Sequence, residues 1–475
     1  MKYLIGIDGG SQSTKVIVFD QDGRVAAAGR EPLKPLRLPR EGVAEHPDDD
    51  LWDSLRAACR QALAAFPGRL SDLAGVGLCT IRCCRVLLKE DLSLAQPVIS
   101  WMDLRLARPY EHDNPDVRYV TTTTGYIGAR LTGRRLDTAA NLLGQWPLDP
   151  LTWNWSEDPD FFGRFNLPRA MLFDLIKPGE LAGRVTKQAA EATGLPEGLP
   201  VAATASDKAV EALGAGPLGP GAALLSLGTY ICSMVEGLDG LSEGPRHFTN
   251  LASRPGRYLY ESDGIRRGMS TISWVRELMG GDVERQAAAE GLTPDDWLNR
   301  RAALIPPGAE GLMTVPEWLA PPSALHKRGL MIGFTGRHGG AHMYRSVMEA
   351  VALTMAGHCR AMCRELNFPL ERLTVSGGGS KGDLFMQIVA DAFGLPAGRA
   401  EINDAVALGS AICAAVGVGL HAGFDEAVAA MVRPADVFQP DPAVSAFYRR
   451  LYDEVYSGIT SVTDEILKKA YPLFN

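Results

Sequence analysis

The eight cysteines of this 475-residue chain, at 59, 79, 83, 84, 232, 359, 363 and 413, include no CxxC pair matched by a second one. A structural zinc site built on paired cysteines is therefore disfavoured. Cys359 and Cys363 stand one helical turn apart and read as small buried apolar residues. Free thiols in this number fit a reducing cytoplasm. No secretory leader is visible, since "MKYLIGIDGG" has one lysine and an apolar run that stops at Asp8. Long hydrophobic runs are missing too. The most membrane-like stretch, Ala407–Phe424, is broken by Ser410, His421 and glycines, and reads as a buried helix. No block of like charge suggests a tail, and a formal charge of -8 with a pI near 5.6 argues against a general nucleic-acid binder. An anionic ligand held in one local site remains compatible with that charge.

What is present is ordinary globular composition, 46% hydrophobic and 22% charged, in a chain too long for one core. Two or more domains are expected. The opening "YLIGIDGGSQSTKVIVFD", Tyr3 to Asp20, sets an acid and two glycines between apolar runs. A dinucleotide-binding turn would lead into a helix. Here Val16, Ile17, Val18 and Phe19 are β-formers, so the segment reads as strand, tight turn, strand. A helix follows with Leu51, Leu55, Ala58, Leu63 and Phe66 near one face, then the buried strand "LAGVGLCTI". Farther on come a long helix over Met343–Leu366, the strand "RLTVSGGGS" ending in glycines, and the helix "GDLFMQIVADAFG". Glycine and proline punctuate Ala212–Tyr230, which places a boundary there and divides the chain into 1–216 and 217–475. The strand "AALLSLGTYICSMVE" then echoes the opening hairpin, so each half begins alike.

In their order these pieces resemble the FGGY carbohydrate kinases, which belong with actin, hexokinase and Hsp70. "GIDGGSQSTKVIVFD" is similar to the first phosphate motif and "SWMDLR" to the Trp-x-Asp-x-Arg segment. "ATASDKAVEALGAG" resembles the block around the catalytic aspartate, and "LLSLGTY" the second phosphate motif. "GFTGRHGGAHMYRSVMEAVA" resembles the C-terminal signature, and "VSGGGSKGDLFMQIVADAFGLP" with "DAVALGSAICAA" the adenosine segment. The resemblance implies an α/β fold of two ribonuclease-H-like, actin-like ATPase domains around a central cleft. It implies a cytoplasmic, ATP- and Mg²⁺-dependent kinase of a sugar, polyol or related small carbohydrate, with sugar and phosphate in the first domain and nucleotide in the second.

Phosphoryl transfer needs charge neutralisation, in-line positioning and a proton acceptor. In the first turn Gly10 and Ser11 can offer backbone N–H groups, and Gln12, Ser13 and Lys15 side-chain donors. Asp8 supplies a hard oxygen suited to Mg²⁺. Gly228 and Thr229 are implied as the clamp on the γ-phosphate, and Gly378, Gly379 and Gly382 as backbone against which the nucleotide lies. Asp207 is implied as general base, contacting substrate and metal; helix capping is the plain alternative for an aspartate there. Arg82, Cys83, Trp101 and Asp103 are the substrate candidates. Glycerol kinases follow the arginine with glutamate, so Cys83 removes an acceptor for a pair of hydroxyls.

One departure stands out. After "SWMDLRLARPYEHD" the chain passes almost at once to "YVTTTTGYIGAR", omitting a few dozen residues that wall the sugar site in relatives. Either the pocket is open to a larger or substituted carbohydrate, or a second subunit of a homodimer fills the gap; the polar replacement favours the open pocket. An autoinducer-2-type signal-molecule kinase and a catalytically weak sugar-sensing protein are the competing functions. No nucleic acid and no membrane is expected as a partner.

Overall fold

In the computed structural model, which describes residues 2–142, 144–238, 240, 244–321 and 323–474, the opening segment forms the expected hairpin. Tyr3–Gly9 (β1) and Ser13–Asp20 (β2) pair antiparallel with Asp8 opposite Lys15. β1 is apolar nearly throughout because both faces are covered: Leu4, Ile5 and Ile7 are all fully buried. Val25–Pro32 (β3) pairs antiparallel with β2, and Leu73–Thr80 (β4) joins β1 in parallel. Leu181–Arg184 (β5) and Pro200–Ala203 (β6) complete a sheet in the order β5-β6-β4-β1-β2-β3.

The second sheet repeats this plan. Ala222–Leu227 (β7) and Ile231–Gly237 (β8) form its hairpin, and His247–Leu251 (β9) and Tyr258–Ser262 (β10) extend the antiparallel side. Arg372–Ser376 (β11) runs parallel beside β7, Ala397–Ala400 (β12) parallel beside β11, and Pro434–Phe438 (β13) closes the edge antiparallel. The order is β9-β10-β8-β7-β11-β12-β13. In both sheets an antiparallel hairpin adjoins two parallel strands, as two ribonuclease-H-like halves require.

Helix Asp50–Ala65 (α1) covers the first sheet through Leu51, Leu55, Ala58 and Ala62; Leu63, expected on that face, is only half-buried. Asp207–Ala215 (α2) leads from the first sheet towards the second. Gly340–Glu365 (α3) and Asp383–Phe393 (α4) pack in the second core. Of the segment Ala407–Phe424, the part up to Gly417 lies in the buried helix Ala405–Gly417 (α5), and turns and bends occupy 418–423; no described helix is long and apolar enough to cross a membrane. α5 comes late in the chain yet packs on the first sheet, sharing a core with Leu4, Ile17 and Phe19. Its approach is close enough to need glycine opposite: a Cβ on Gly6 would lie 1.8 Å from the Ala407 carbonyl oxygen, and one on Gly77 1.8 Å from that of Ser410.

Candidate active site

The first turn is closed by the Gly10 N–H donating to the Ser13 carbonyl at 3.2 Å. Asp8, Gly10, Ser11, Gln12, Ser13 and Lys15 all line one cleft of about 1530 Å³. Lys15 Nζ is 2.7 Å from Asp404 Oδ1 and 3.9 Å from Asp8 Oδ2. Burial pushes the Asp8 carboxyl up to about 7; the Lys15 charge opposes this, and the charges of Asp207, Asp404 and Glu211 add to it. Across the cleft, Gly228 and Thr229 form the second turn. It is held by the segment after β10, where the Gly268 N–H donates to the Thr229 carbonyl at 2.8 Å and the Met269 N–H to that of Gly228 at 3.1 Å.

Asp207 is the first residue of α2, but it is not the cap. Ser206 does that work, its Oγ accepting from the Ala209 N–H at 3.4 Å. The Asp207 carboxylate lines the cleft instead, accepting from the Lys208 N–H at 2.7 Å, with Arg82 Nε 3.4 Å away. Arg82 also makes a two-pronged bond to Glu261, at 2.9 and 2.8 Å, and Asn250 donates to the same carboxylate at 3.1 Å. Cys83, at a φ of 61°, and Trp101 both line the cleft and are half-buried.

Asp103 also reaches the cleft wall, yet its carboxylate is committed elsewhere. It accepts from the Ala44 N–H at 2.8 Å and from Arg105 N, Nε and Nη2 at 2.8, 2.9 and 2.7 Å. Against the upward push of burial, these bonds hold its carboxyl below the ordinary value. Its observed task is to fix the turn behind Trp101. Among the three glycines expected to lie against the nucleotide, Gly378 lines the cleft in a short turn after β11. Gly379 is packed behind it, where a Cβ would meet Leu227 and Met269, and Gly382 opens α4.

The shortened segment is tied down on its inner side. The Tyr110 N–H donates to the Phe165 carbonyl at 2.9 Å, and Asn166 Nδ2 to the Tyr110 carbonyl at 2.6 Å. Trp146, Leu148, Phe161 and Phe165 of the same chain line the cleft there. The Arg85 guanidinium backs this wall, 5.9 Å from the rings of both Tyr110 and Trp146. The wall is therefore partly rebuilt from residues that sequence reading passed over. Glu261 was also missed, although one acid directly after Tyr258, Leu259 and Tyr260 in a buried strand was a usable signal. Asp404 opens "DAVALGSAICAA", where nothing in the local pattern marks it as a partner for Lys15.

Two glycine turns and two carboxylates, brought by duplicated sheets to one cleft, define a phosphotransferase of the actin-like ATPase fold. Residues 3–114 match the FGGY family of carbohydrate kinases, N-terminal domain, and residues 223–418 match its C-terminal domain. The chain belongs to the FGGY family of carbohydrate kinases. It is 48% identical over 474 residues to a protein of Escherichia coli (strain K12) named "Uncharacterized sugar kinase YgcE", covering 100% of this chain and 96% of that one. It is 28% identical to the glycerol kinase of Bordetella parapertussis, with 90% of each chain covered. The crystal structure of xylulose kinase from Rhodospirillum rubrum superposes with a TM-score of 0.80 at 26% identity, covering 98% of this chain and 100% of that one.

Proposed function

We propose that this kinase transfers the γ-phosphoryl group of ATP to a hydroxyl of a small carbohydrate, with Asp207 accepting the hydroxyl proton. The carrying observation is that Asp207, Asp8 and both glycine turns line the same cleft. The carboxylate is exposed enough to meet a substrate and is not spent on capping its helix. A weak, well-placed base suffices, because the hydroxyl proton becomes acidic only as the O–P bond forms. Lys15 and the two turns hold the phosphates, and the loop at Gly378 holds the adenosine side.

The donor set fits Mg²⁺. Asp8 and Asp207 offer hard oxygens, and no three His, Cys, Asp or Glu residues stand together as a metal cage among the described residues. Mg²⁺ suits such a site because it keeps waters and phosphate oxygens among its ligands. When bound, it would neutralise charge on the phosphates. The aromatic wall of Trp101, Trp146, Phe161 and Phe165 offers ring faces on which a carbohydrate acceptor can rest. The grouping of Asp8, Lys15 and Asp207 weighs against a purely sensing protein, which has no use for a general base. The working compartment in this reading is the cytoplasm, consistent with eight free cysteines. A panel of sugars, polyols and substituted carbohydrates, screened by ADP release, tests the reading. Turnover that appears only with a particular carbohydrate supports it, and ADP release indifferent to every acceptor contradicts it.

A further inference from the structure

The cleft floor holds a buried ion pair that the mechanism above does not use. Lys208 follows Asp207 in the first turn of α2, and Glu211 lies one turn on. The lysine ammonium is 2.9 Å from Glu211 Oε2 and donates to Ser226 Oγ at 2.6 Å, with the Tyr230 carbonyl 3.5 Å away. Ser226 and Tyr230 flank the Gly228–Thr229 turn. A Cβ built on Gly228 would lie 3.7 Å from the Tyr230 carbonyl oxygen and 3.8 Å from Ser226 Oγ. The ammonium is therefore seated beneath that turn.

Glu211 carries the connection further. Its Oε2 accepts from Ser226 at 2.9 Å and its Oε1 from Ser376 at 2.5 Å. Ser376 ends β11 and leads directly into Gly377 and Gly378. One carboxylate thus ties the helix of the base to both loops that face the nucleotide. Alone, that carboxylate would repel a triphosphate above it, and Lys208 cancels its charge. Burial opposes charge on both residues, but each holds the other ionised: the lysine is raised and the glutamate lowered from their ordinary values. A buried pair of this kind adds little net stability, so its value lies in what it positions.

We propose that Lys208, held by Glu211, is a positioning residue for phosphoryl transfer: its ammonium fixes the Gly228–Thr229 turn relative to Asp207 and keeps the Glu211 carboxylate from repelling the γ-phosphate. This rests on the kinase reading above. The test titrates the full chain calorimetrically with MgADP and with the magnesium complex of AMPPNP, which adds the third phosphate. Lys208→Met is expected to weaken AMPPNP binding about tenfold, the scale of one charge-assisted hydrogen bond, and to leave ADP within about twofold. Lys208→Arg, which keeps the charge, is expected to recover much of the loss. Because Lys208→Met strands a buried glutamate, the neutral pair Lys208→Gln/Glu211→Gln is measured too, with thermal unfolding to show that it folds. If the neutral pair keeps the wild-type ratio of AMPPNP to ADP affinity, or loses both ligands equally, the proposal is overturned. Wild-type protein that binds neither nucleotide is a separate result, and it removes the kinase reading itself.

Discussion

Arg82, on the cleft wall, is joined to Glu261 behind it by two hydrogen bonds of 2.9 and 2.8 Å although 179 residues separate them. The glutamate is fully buried, and the arginine's third nitrogen stands 3.4 Å from the Asp207 carboxylate. Glu261 therefore holds a strong cation beside the base without letting it pair fully with the base. Glu261→Gln is expected to release the guanidinium toward Asp207, weakening it as a proton acceptor and lowering kcat about tenfold or more. An unchanged kcat contradicts this relationship.

Asp207→Asn keeps the size of the side chain and removes the proton acceptor. Carbohydrate phosphorylation is expected to fall by about two to four orders of magnitude, while MgADP binding stays near the wild-type value. Turnover close to wild type excludes Asp207 as the base.

Asp8 and Lys15 are expected to act on the same step. Asp8→Ala should raise the Mg²⁺ concentration needed for half-maximal activity, and Lys15→Ala should raise KM for ATP. Since the Asp8 carboxyl titrates near 7, its proton competes with the cation, and apparent Mg²⁺ affinity should rise from pH 6 to pH 8 in the wild type. Asp8→Ala should flatten that rise. Identical Mg²⁺ titrations at both pH values in the two proteins refute the assignment.

His46 predicts a stability effect away from the cleft. It is 2% exposed, neither ring nitrogen meets a partner among the described residues, and burial lowers its pKa from 6.5 to about 4. A depressed pKa means that the folded state takes up the proton less readily than the unfolded chain. Its contribution is complete above pH 6.5 and is lost as pH falls towards 4. The full difference is about 3 kcal/mol. Urea unfolding of wild type and His46→Leu at pH 7 and pH 4.5 should show the wild type losing more stability on acidification. Parallel losses in the two proteins rule it out.

The paired hairpins were legible because strand-forming residues on both sides of a glycine turn leave little local choice. Asp207 and the loop at Gly378 were legible through their order along the chain. The rebuilt wall was not, because Trp146, Phe161 and Phe165 belong to a segment whose own pattern names no partner. The Trp-x-Asp-x-Arg segment points Asp103 towards substrate, whereas its contacts to Ala44 and Arg105 depend on how two distant loops meet. Lys208 was visible beside the base, but its meaning depends on Ser226, on a strand in the other sheet. Local pattern reports element type; it does not report which distant polar group answers a buried charge.

Helix α5 has a consequence for how this protein is made. The first sheet is complete in sequence at Ala203, but the helix that covers Leu4, Ile17 and Phe19 begins only at Ala405. About 200 residues must be translated in between, which takes on the order of ten to forty seconds at ordinary synthesis rates. For that interval the growing chain carries an uncovered apolar face, and the ribosome-bound N-terminal half cannot reach its final packing however well its strands pair. Chaperone occupancy along the nascent chain should therefore persist past residue 216 and fall only after α5 has left the exit tunnel.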